Sequence, residues 1–177
     1  YEEQERKNFA EQAEVQINKL DLMLDGLAKI SQLETDLIQL QPQRISLQQL
    51  INQAINSVIM KAVEKEIELE VELTEDIFVL VDKKWTLEAL GNVLENAVKY
   101  SPEQTTVKVR ASSLITYSLV EIEDEGAGIT KEEQNKIYQR FYRGSNSESV
   151  EGSGVGLYLT RKIIEGQGGT VMVKQHY

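Results

Sequence analysis

The chain contains no cysteine, which excludes disulfides, thiolate zinc sites and cysteine nucleophiles. Its one histidine, His176, stands next to the last residue. A single imidazole does not build a His-rich metal centre, and no Ser-His-Asp set presents itself around this one. His176 reads as an exposed terminal side chain. Proline is nearly as scarce, with only Pro42 and Pro102, so long helices can run unbroken. No apolar run reaches the ~18 residues of a membrane-spanning helix, and no signal-peptide pattern opens the chain. The sequence begins at Tyr1 inside a helical pattern. It reads as a fragment, one that a membrane protein could have supplied.

Positive charge is in deficit. Nineteen Lys and Arg against 29 Asp and Glu leave a formal net charge of −10. That argues against nonspecific nucleic-acid binding, which needs clustered cations to neutralise phosphates. It does not exclude an anionic ligand, because a few backbone N–H groups and one or two cations create a local positive site. What remains is ordinary: 177 residues, 41% hydrophobic and 27% charged, suit one globular domain plus an appendage.

From residue 2 to 40 there is no proline and one glycine, Gly26. Ala13, Ile17, Leu20, Leu24 and Leu27 recur at spacings of four and three, and Ile30, Leu33, Leu37 and Leu40 continue the stripe. This pattern predicts a long amphipathic helix with a coiled-coil-like seam. Another helix would cover that seam, unless the helix folds back on its own domain. Pro42 ends it. A short strand is predicted over 44–47, then a helix over 47–65 capped by Ser46. Strict alternation over 66–73 predicts a strand with one wet face, and 77–81 a second strand. Asp82 caps a helix over 83–100, which Ser101-Pro102 ends. Strands over 106–112 and 115–123 form a hairpin. Helices over 131–141 and 155–165 flank a polar stretch, 143–153, that reads as a mobile lid, and a last strand covers 170–174. The order gives an α+β fold, a mixed sheet with helices mainly on one face.

Four segments carry chemistry, each weak alone. In Asn92-Val-Leu-Glu-Asn96-Ala-Val-Lys99-Tyr100, the residues Asn92, Asn96 and Lys99 fall at i, i+4 and i+7 and share one helix face. Leu90, Val93, Leu94 and Ala97 cover the other side. Two amides and an ammonium suit hydrated magnesium with phosphate oxygens; a plain solvated face has the same composition. In Asp124-Glu-Gly126-Ala-Gly128-Ile129 two glycines let backbone approach a flat ligand. A carboxylate at a strand end accepts a hydrogen bond from adenine's amine and repels guanine's carbonyl. A glycine turn without ligand fits the segment equally.

Gly152-Ser-Gly154-Val-Gly156-Leu157 runs into a helix whose first N–H groups can cradle phosphate. It is neither the dinucleotide fingerprint nor a Walker loop. In Tyr138-Gln-Arg140-Phe141-Tyr142-Arg143, the aromatics Phe141 and Tyr142 are suited to anchor the base of the lid, with Arg140 or Arg143 turned to phosphate. The other reading is a helix end with cations near its negative pole.

Taken together, in this order and spacing, the four segments resemble the N, G1, F and G2 boxes of the histidine kinase branch of the ATP-binding superfamily shared with DNA gyrase, mismatch-repair ATPases and a heat-shock chaperone. The resemblance covers about residues 44–175 and implies that superfamily's mixed-sheet α/β sandwich. The preceding helix, ending Leu27-Ala-Lys-Ile-Ser-Gln-Leu-Glu34, resembles the second helix of the dimerisation and phosphotransfer domain. The implied domains are 1–42, a partial dimerisation unit, and 43–177, a catalytic ATP-binding unit lacking its last strand.

By resemblance Asp124 binds the adenine amine, Gly126, Gly128 and Ile129 shape the base pocket, and Tyr100 lies against the nucleoside. Asn96, assisted by Asn92, holds magnesium; Lys99 reaches phosphate. Gly152, Gly154, Gly156 and Leu157 serve the lid and phosphates, with Arg143 an added cation. Asn92 and Lys99 are the residues expected to act in transfer of the γ-phosphoryl group of ATP. In hydrolysing relatives a glutamate activates water at the position of Asn92; an asparagine cannot, which fits transfer to a protein side chain. The family's acceptor motif, of the type His-Glu-Leu-Arg-Thr-Pro, does not occur in this sequence.

The resemblance thus implies a two-component sensor histidine kinase fragment using ATP and Mg2+. It would form a homodimer through the N-terminal helix, work with a cognate response regulator, and be the cytoplasmic portion of a membrane-anchored bacterial protein. The rival readings are a magnesium-dependent ATPase driving a conformational change, which Asn92 disfavours, and a nucleotide-free dimerisation module, which four intact segments disfavour.

Overall fold

The computed structural model describes residues 2–34, 40–73, 75–144 and 152–174. Leu37 and His176, and most of the predicted lid over 143–153, lie outside them. Within the described residues the order is α1 (Glu2–Glu34), β1 (Pro42–Ser46), α2 (Leu47–Glu64), β2 (Glu68–Leu73), β3 (Phe78–Asp82), α3 (Lys83–Tyr100), β4 (Thr106–Ser113), β5 (Ser118–Glu123), α4 (Lys131–Gln134) and α5 (Gly156–Gly166).

Capping sets the two central helices. Ser46 Oγ accepts the Gln49 N–H and donates to Asp76 Oδ1 at 2.7 Å, pinning the start of α2. Asp82 is 9% exposed and serves three partners. Its Oδ1 accepts Trp85 N–H at 3.0 Å, its Oδ2 accepts Gln41 N–H at 2.9 Å, and its own N–H donates to Gln167 Oε1 at 2.6 Å. One residue thus starts α3 and holds the chain ahead of β1 through its carboxylate, and ties in the end of α5 through its backbone N–H. Losing such a cap costs about 1 kcal/mol, more when it is buried.

β2 and β4 run parallel while β4 and β5 run antiparallel, so the three-stranded sheet is mixed, as expected. β1 and β3 form a separate antiparallel pair. The alternation in β2 and β4 sorts their faces. Val107, Val109 and Ala111 point into the core with Leu50, Val58, Leu94 and Val98 of α2 and α3. The other face carries a charge ladder: Lys108 pairs with Glu70, and Arg110 with Glu72 and Glu123. Each buried Leu or Val contributes about 1.5–3 kcal/mol, whereas such exposed pairs contribute ~0–1 kcal/mol. The core therefore sits between the helices and one face of the sheet.

Two predicted elements differ. The helix expected over 131–141 stops at Gln134 and continues as turns, Phe141 standing at φ 62°. Residues 170–174, read as a strand from Thr170, Val171 and Val173, form none; a strand needs a partner along its edge, and the sheet's described pairings leave them out.

α1 answers both alternatives for its seam. Phe9, Ile17, Leu20 and Leu24 are exposed, whereas Ile30 is buried with Trp85, Val155, Leu159 and Ile163. Lys29 Nζ meets Asp25 and Glu88, each at 2.9 Å. Gly26 lies so near Val155 that a Cβ would stand 3.0 Å from Val155 Cγ1. Farther along, Glu34 Oε1 accepts from Tyr158 OH at 2.7 Å and from Arg140 Nη2, while Arg140 also reaches the Tyr158 oxygen at 2.9 Å.

That cluster makes the docking of α1 sensitive to acid. The Tyr158 hydroxyl, then the Arg140 guanidinium, hold the Glu34 carboxyl below its ordinary value of 4.5. A depressed carboxyl contributes its full stabilisation above the ordinary value and loses it as pH falls through the lower folded one. Trp85, the only tryptophan, shares the cluster with Ile30 and reports the docking. Its emission should stay blue-shifted down to about pH 4.5 and move red below. In Glu34→Gln part of that red shift should already be present at pH 7; identical acid titrations of the two proteins would contradict the account.

Candidate functional site

The buried stripe of α3, Ala89, Leu94, Ala97 and Val98, fixes which way its polar stripe faces. Asn92, Asn96 and Lys99 are consequently half-buried rather than solvated, and glycine-bearing backbone closes on them. Asn92 faces the start of α5: a Cβ on Gly156 would stand 3.6 Å from Asn92 Cγ and Oδ1. Among the described residues Asn92 Nδ2 is buried without a hydrogen-bond partner, which is uncommon for a native amide. Two turns on, Lys99 Nζ lies 2.5 Å from where a Cβ on Gly152 would be, and 5.1 Å from the centre of the Tyr100 ring.

The end of α3 meets the segment after β5. A Cβ on Gly126 would come within 2.7 Å of Asp124 Oδ1 and 3.0 Å of the Tyr100 carbonyl oxygen. Asp124 is exposed, and its Oδ1 accepts Gly126 N–H at 2.8 Å. Glu125 turns back to the sheet and accepts Thr106 N–H at 2.8 Å. Gly128 takes φ 74°, a conformation glycine adopts without strain, and Ile129 is half-buried behind it.

The third approach joins the expected lid to its base. Gly154, at φ 70°, has no room for a side chain, since a Cβ would stand 2.8 Å from both the Phe141 carbonyl carbon and the Tyr142 oxygen. Arg143, one residue beyond that contact, is half-buried, as is Leu157 in the first turn of α5. The first N–H groups of this helix, at Gly156, open beside Asn92.

The structure thus brings Asn92 to Gly156, Lys99 to Gly152, and Tyr100 to Gly126 and Asp124, with Asn96 between on the same face. Two expectations need correction. Arg140 does not turn to the glycine segments; it pairs with Glu34 and Tyr158 on the α1 side. Phe141 does not anchor in the core. It is 44% exposed, and its backbone rather than its ring makes the contact with Gly154. The sequence reading missed the Glu34–Tyr158–Arg140 cluster, because partners 106 and 124 residues apart leave no local spacing signal. A cavity of about 560 Å3 at the opposite end of α3, lined by Gln41, Asp82, Lys84 and Trp85 among others, includes none of the expected residues. Among the described residues no three His, Asp or Glu side chains gather as a metal site, and no helix is long and apolar enough to cross a membrane.

A family model described as histidine kinase-, DNA gyrase B-, and HSP90-like ATPase matches residues 81–177, more than half of the chain. The chain is 34% identical over 91 residues to the sensor protein kinase PmrB of Pseudomonas aeruginosa, covering 51% of this chain and 19% of that protein. To the adaptive-response sensory kinase SasA of Gloeothece citriformis it is 38% identical over 96 residues, covering 54% and 24%. It therefore spans about a fifth to a quarter of the length of these relatives. Among solved structures it is similar to the mycobacterial sensor histidine kinase MprB, at 29% identity and TM-score 0.65, over 72% of this chain and 81% of that one. Full-length ShkA superposes on 91% of this chain, and this chain on 34% of it, with TM-score 0.79. At 22% identity that likeness is one of fold.

The close approach at Gly154 has a measurable cost. Gly154→Ala should lower stability by about 2–3 kcal/mol, read from the urea midpoint, since strain and overlap add. Gly168→Ala, at φ 81° with nothing within 4 Å, should lose only about 1 kcal/mol. Equal midpoints for the two variants would contradict the contact.

Proposed function

Because this chain belongs to the histidine kinase-, DNA gyrase B- and HSP90-like ATPase family, we propose that it binds ATP with Mg2+ as the kinase domain of a two-component sensor histidine kinase. The γ-phosphoryl group would pass to a histidine in an acceptor segment that this sequence does not contain. The observation that carries the reading is the convergence of two glycine-bearing segments, 124–129 and 152–157, on the polar face and last turn of one helix. Asp124 Oδ2 is the oxygen that would accept the adenine amine, since Oδ1 is held by Gly126. Gly126, Gly128, Ile129 and Tyr100 would wall the base. Lys99, the turn at Gly152 and Gly154, and the N-terminus of α5 at Gly156 and Leu157 would hold phosphate, with Arg143 as an added cation.

The fit for magnesium rests on Asn92. Its buried amide nitrogen has no partner among the described residues, so the group can turn its oxygen outward, and with Asn96 one turn on it would offer carboxamide oxygens that suit a hard, largely hydrated cation. Asn92 and Asn96 would hold Mg2+, which when bound would supply positive charge that offsets the charge of the phosphates. The residues would then act by positioning: Lys99 and Asn92 orient the terminal phosphate, and the Gly152–Gly156 turn excludes water.

The ATPase alternative needs a carboxylate to activate water. Glu88 and Glu95, the two that α3 carries, are paired with Lys29 and Lys61. Both are committed elsewhere, which favours transfer over hydrolysis. For the parent protein we infer the domain division at 42–43, dimerisation through the exposed apolar side chains of α1 (Ile17, Leu20 and Leu24), work with a response regulator, and membrane attachment.

Titration calorimetry with a non-hydrolysable ATP analogue and Mg2+ tests the reading. The wild type should bind and Asp124→Ala should bind roughly 100-fold more weakly; absence of binding by both would remove the proposal. With ATP and a polypeptide bearing an acceptor helix, phosphate should appear on histidine, and rapid phosphate release without phosphohistidine would favour the ATPase.

A further inference from the structure

The last turn of a helix leaves carbonyl groups without helical partners and carries the negative end of the helix dipole. In α3 that turn holds Lys99 and Tyr100, so its electrostatics bear on any phosphate nearby. Ser101 N–H satisfies the Ala97 carbonyl at 3.1 Å. The carbonyls of Val98, Lys99 and Ser101 all accept from one group, Lys65 Nζ, at 2.8, 3.0 and 2.5 Å. An ammonium has three N–H donors, and here each has a backbone acceptor. Lys65 is itself the C-cap of α2, so the side chain of one helix end closes another.

Two turns clasp each other around this cation. Lys65 O accepts Gln104 N–H at 3.1 Å, and Glu66 Oε2 accepts Gln104 Nε2 at 2.7 Å. Glu66 stands at φ 53° and Gln104 at φ 60°. Both are left-handed without being glycine, a state that persists only where surrounding contacts impose it. Tyr100 O, which Lys65 does not take, abuts Gly126. The ammonium therefore holds the turn through the carbonyls on either side of the one that Gly126 meets.

We propose that Lys65 is a positioning residue for the nucleotide: it fixes the last turn of α3 and cancels its negative pole, so that Lys99 and Tyr100 meet an anionic ligand without repulsion from the helix end. It touches no part of the ligand. The inference rests on the nucleotide reading above.

The test uses the 177-residue chain, AMP-PNP with Mg2+ as probe, and calorimetry below the unfolding range. Lys65→Gln, which keeps amide donors and removes the charge, should raise Kd about tenfold, and Lys65→Arg should recover to within about threefold of wild type. A folded Lys65→Gln with wild-type Kd, even at a lower Tm, overturns the inference and leaves Lys65 a stabilising residue only. An Arg variant as weak as the Gln variant overturns the part played by charge. Should Lys65→Gln fail to fold, Gln104→Ala loosens the same clasp while keeping the ammonium. It should weaken binding about threefold, and unchanged binding there overturns the inference. Absence of binding by the wild type would overturn the nucleotide reading itself, a result distinct from all of these.

Discussion

The constraint on which the site depends is the distance between α3 and the backbone laid against its polar face. At Gly126 a methyl group would press on the Tyr100 carbonyl, and at Gly156 it would touch the Asn92 amide. Contacts this close hold only if the helix cannot roll or slide, because rotation of a few tens of degrees would carry Asn92, Asn96 and Lys99 out of register with the segments facing them. The opposite stripe prevents it. Leu94 and Val98 are each 1% exposed, and removing either side chain would open a cavity in a close-packed core. Asp82 fixes the start of the helix and Lys65 its end. Packing, capping and polar geometry are thus a single device.

Much of that device was legible in the sequence. The span 83–100 follows from Asp82, a 3.6-residue apolar period and Ser101-Pro102, all local signals. The strand alternation in β2 was equally readable, and so were the glycines, since a segment with glycine at every second position announces backbone approach. What could not be read was anything decided by distant partners. Residues 131–141 have a helical composition, yet the chain leaves the helix after Gln134 and reaches Gly154 through Phe141 in a left-handed turn. Arg140 sits beside the expected phosphate segment in sequence but meets Glu34 in space. Lys65 ends the predicted helix over 47–65 with nothing local to mark its role, its acceptors lying 33 to 36 residues away.

The docking of α1 connects the two ends of the chain's chemistry. Ile30 and Gly26 pack on Val155, and Val155 immediately precedes Gly156, which faces Asn92. Movement of α1 away from α5 would withdraw the support behind the very turn proposed to hold phosphate. The apolar side chains farther up α1 stay exposed. One helix therefore packs one end against its own chain and leaves apolar side chains exposed along the other.

The central claim is that the polar face of α3 and the glycine segments around it form one nucleotide site. Amide chemical-shift mapping with AMP-PNP and Mg2+ tests it most directly. The account predicts the largest shifts at Asn92, Asn96, Lys99, Gly126, Gly128, Gly154 and Gly156, from both sides of the contact at once. Shifts confined to the opposite end of the helix, at Gln41, Lys84 and Trp85 around the cavity there, would contradict it.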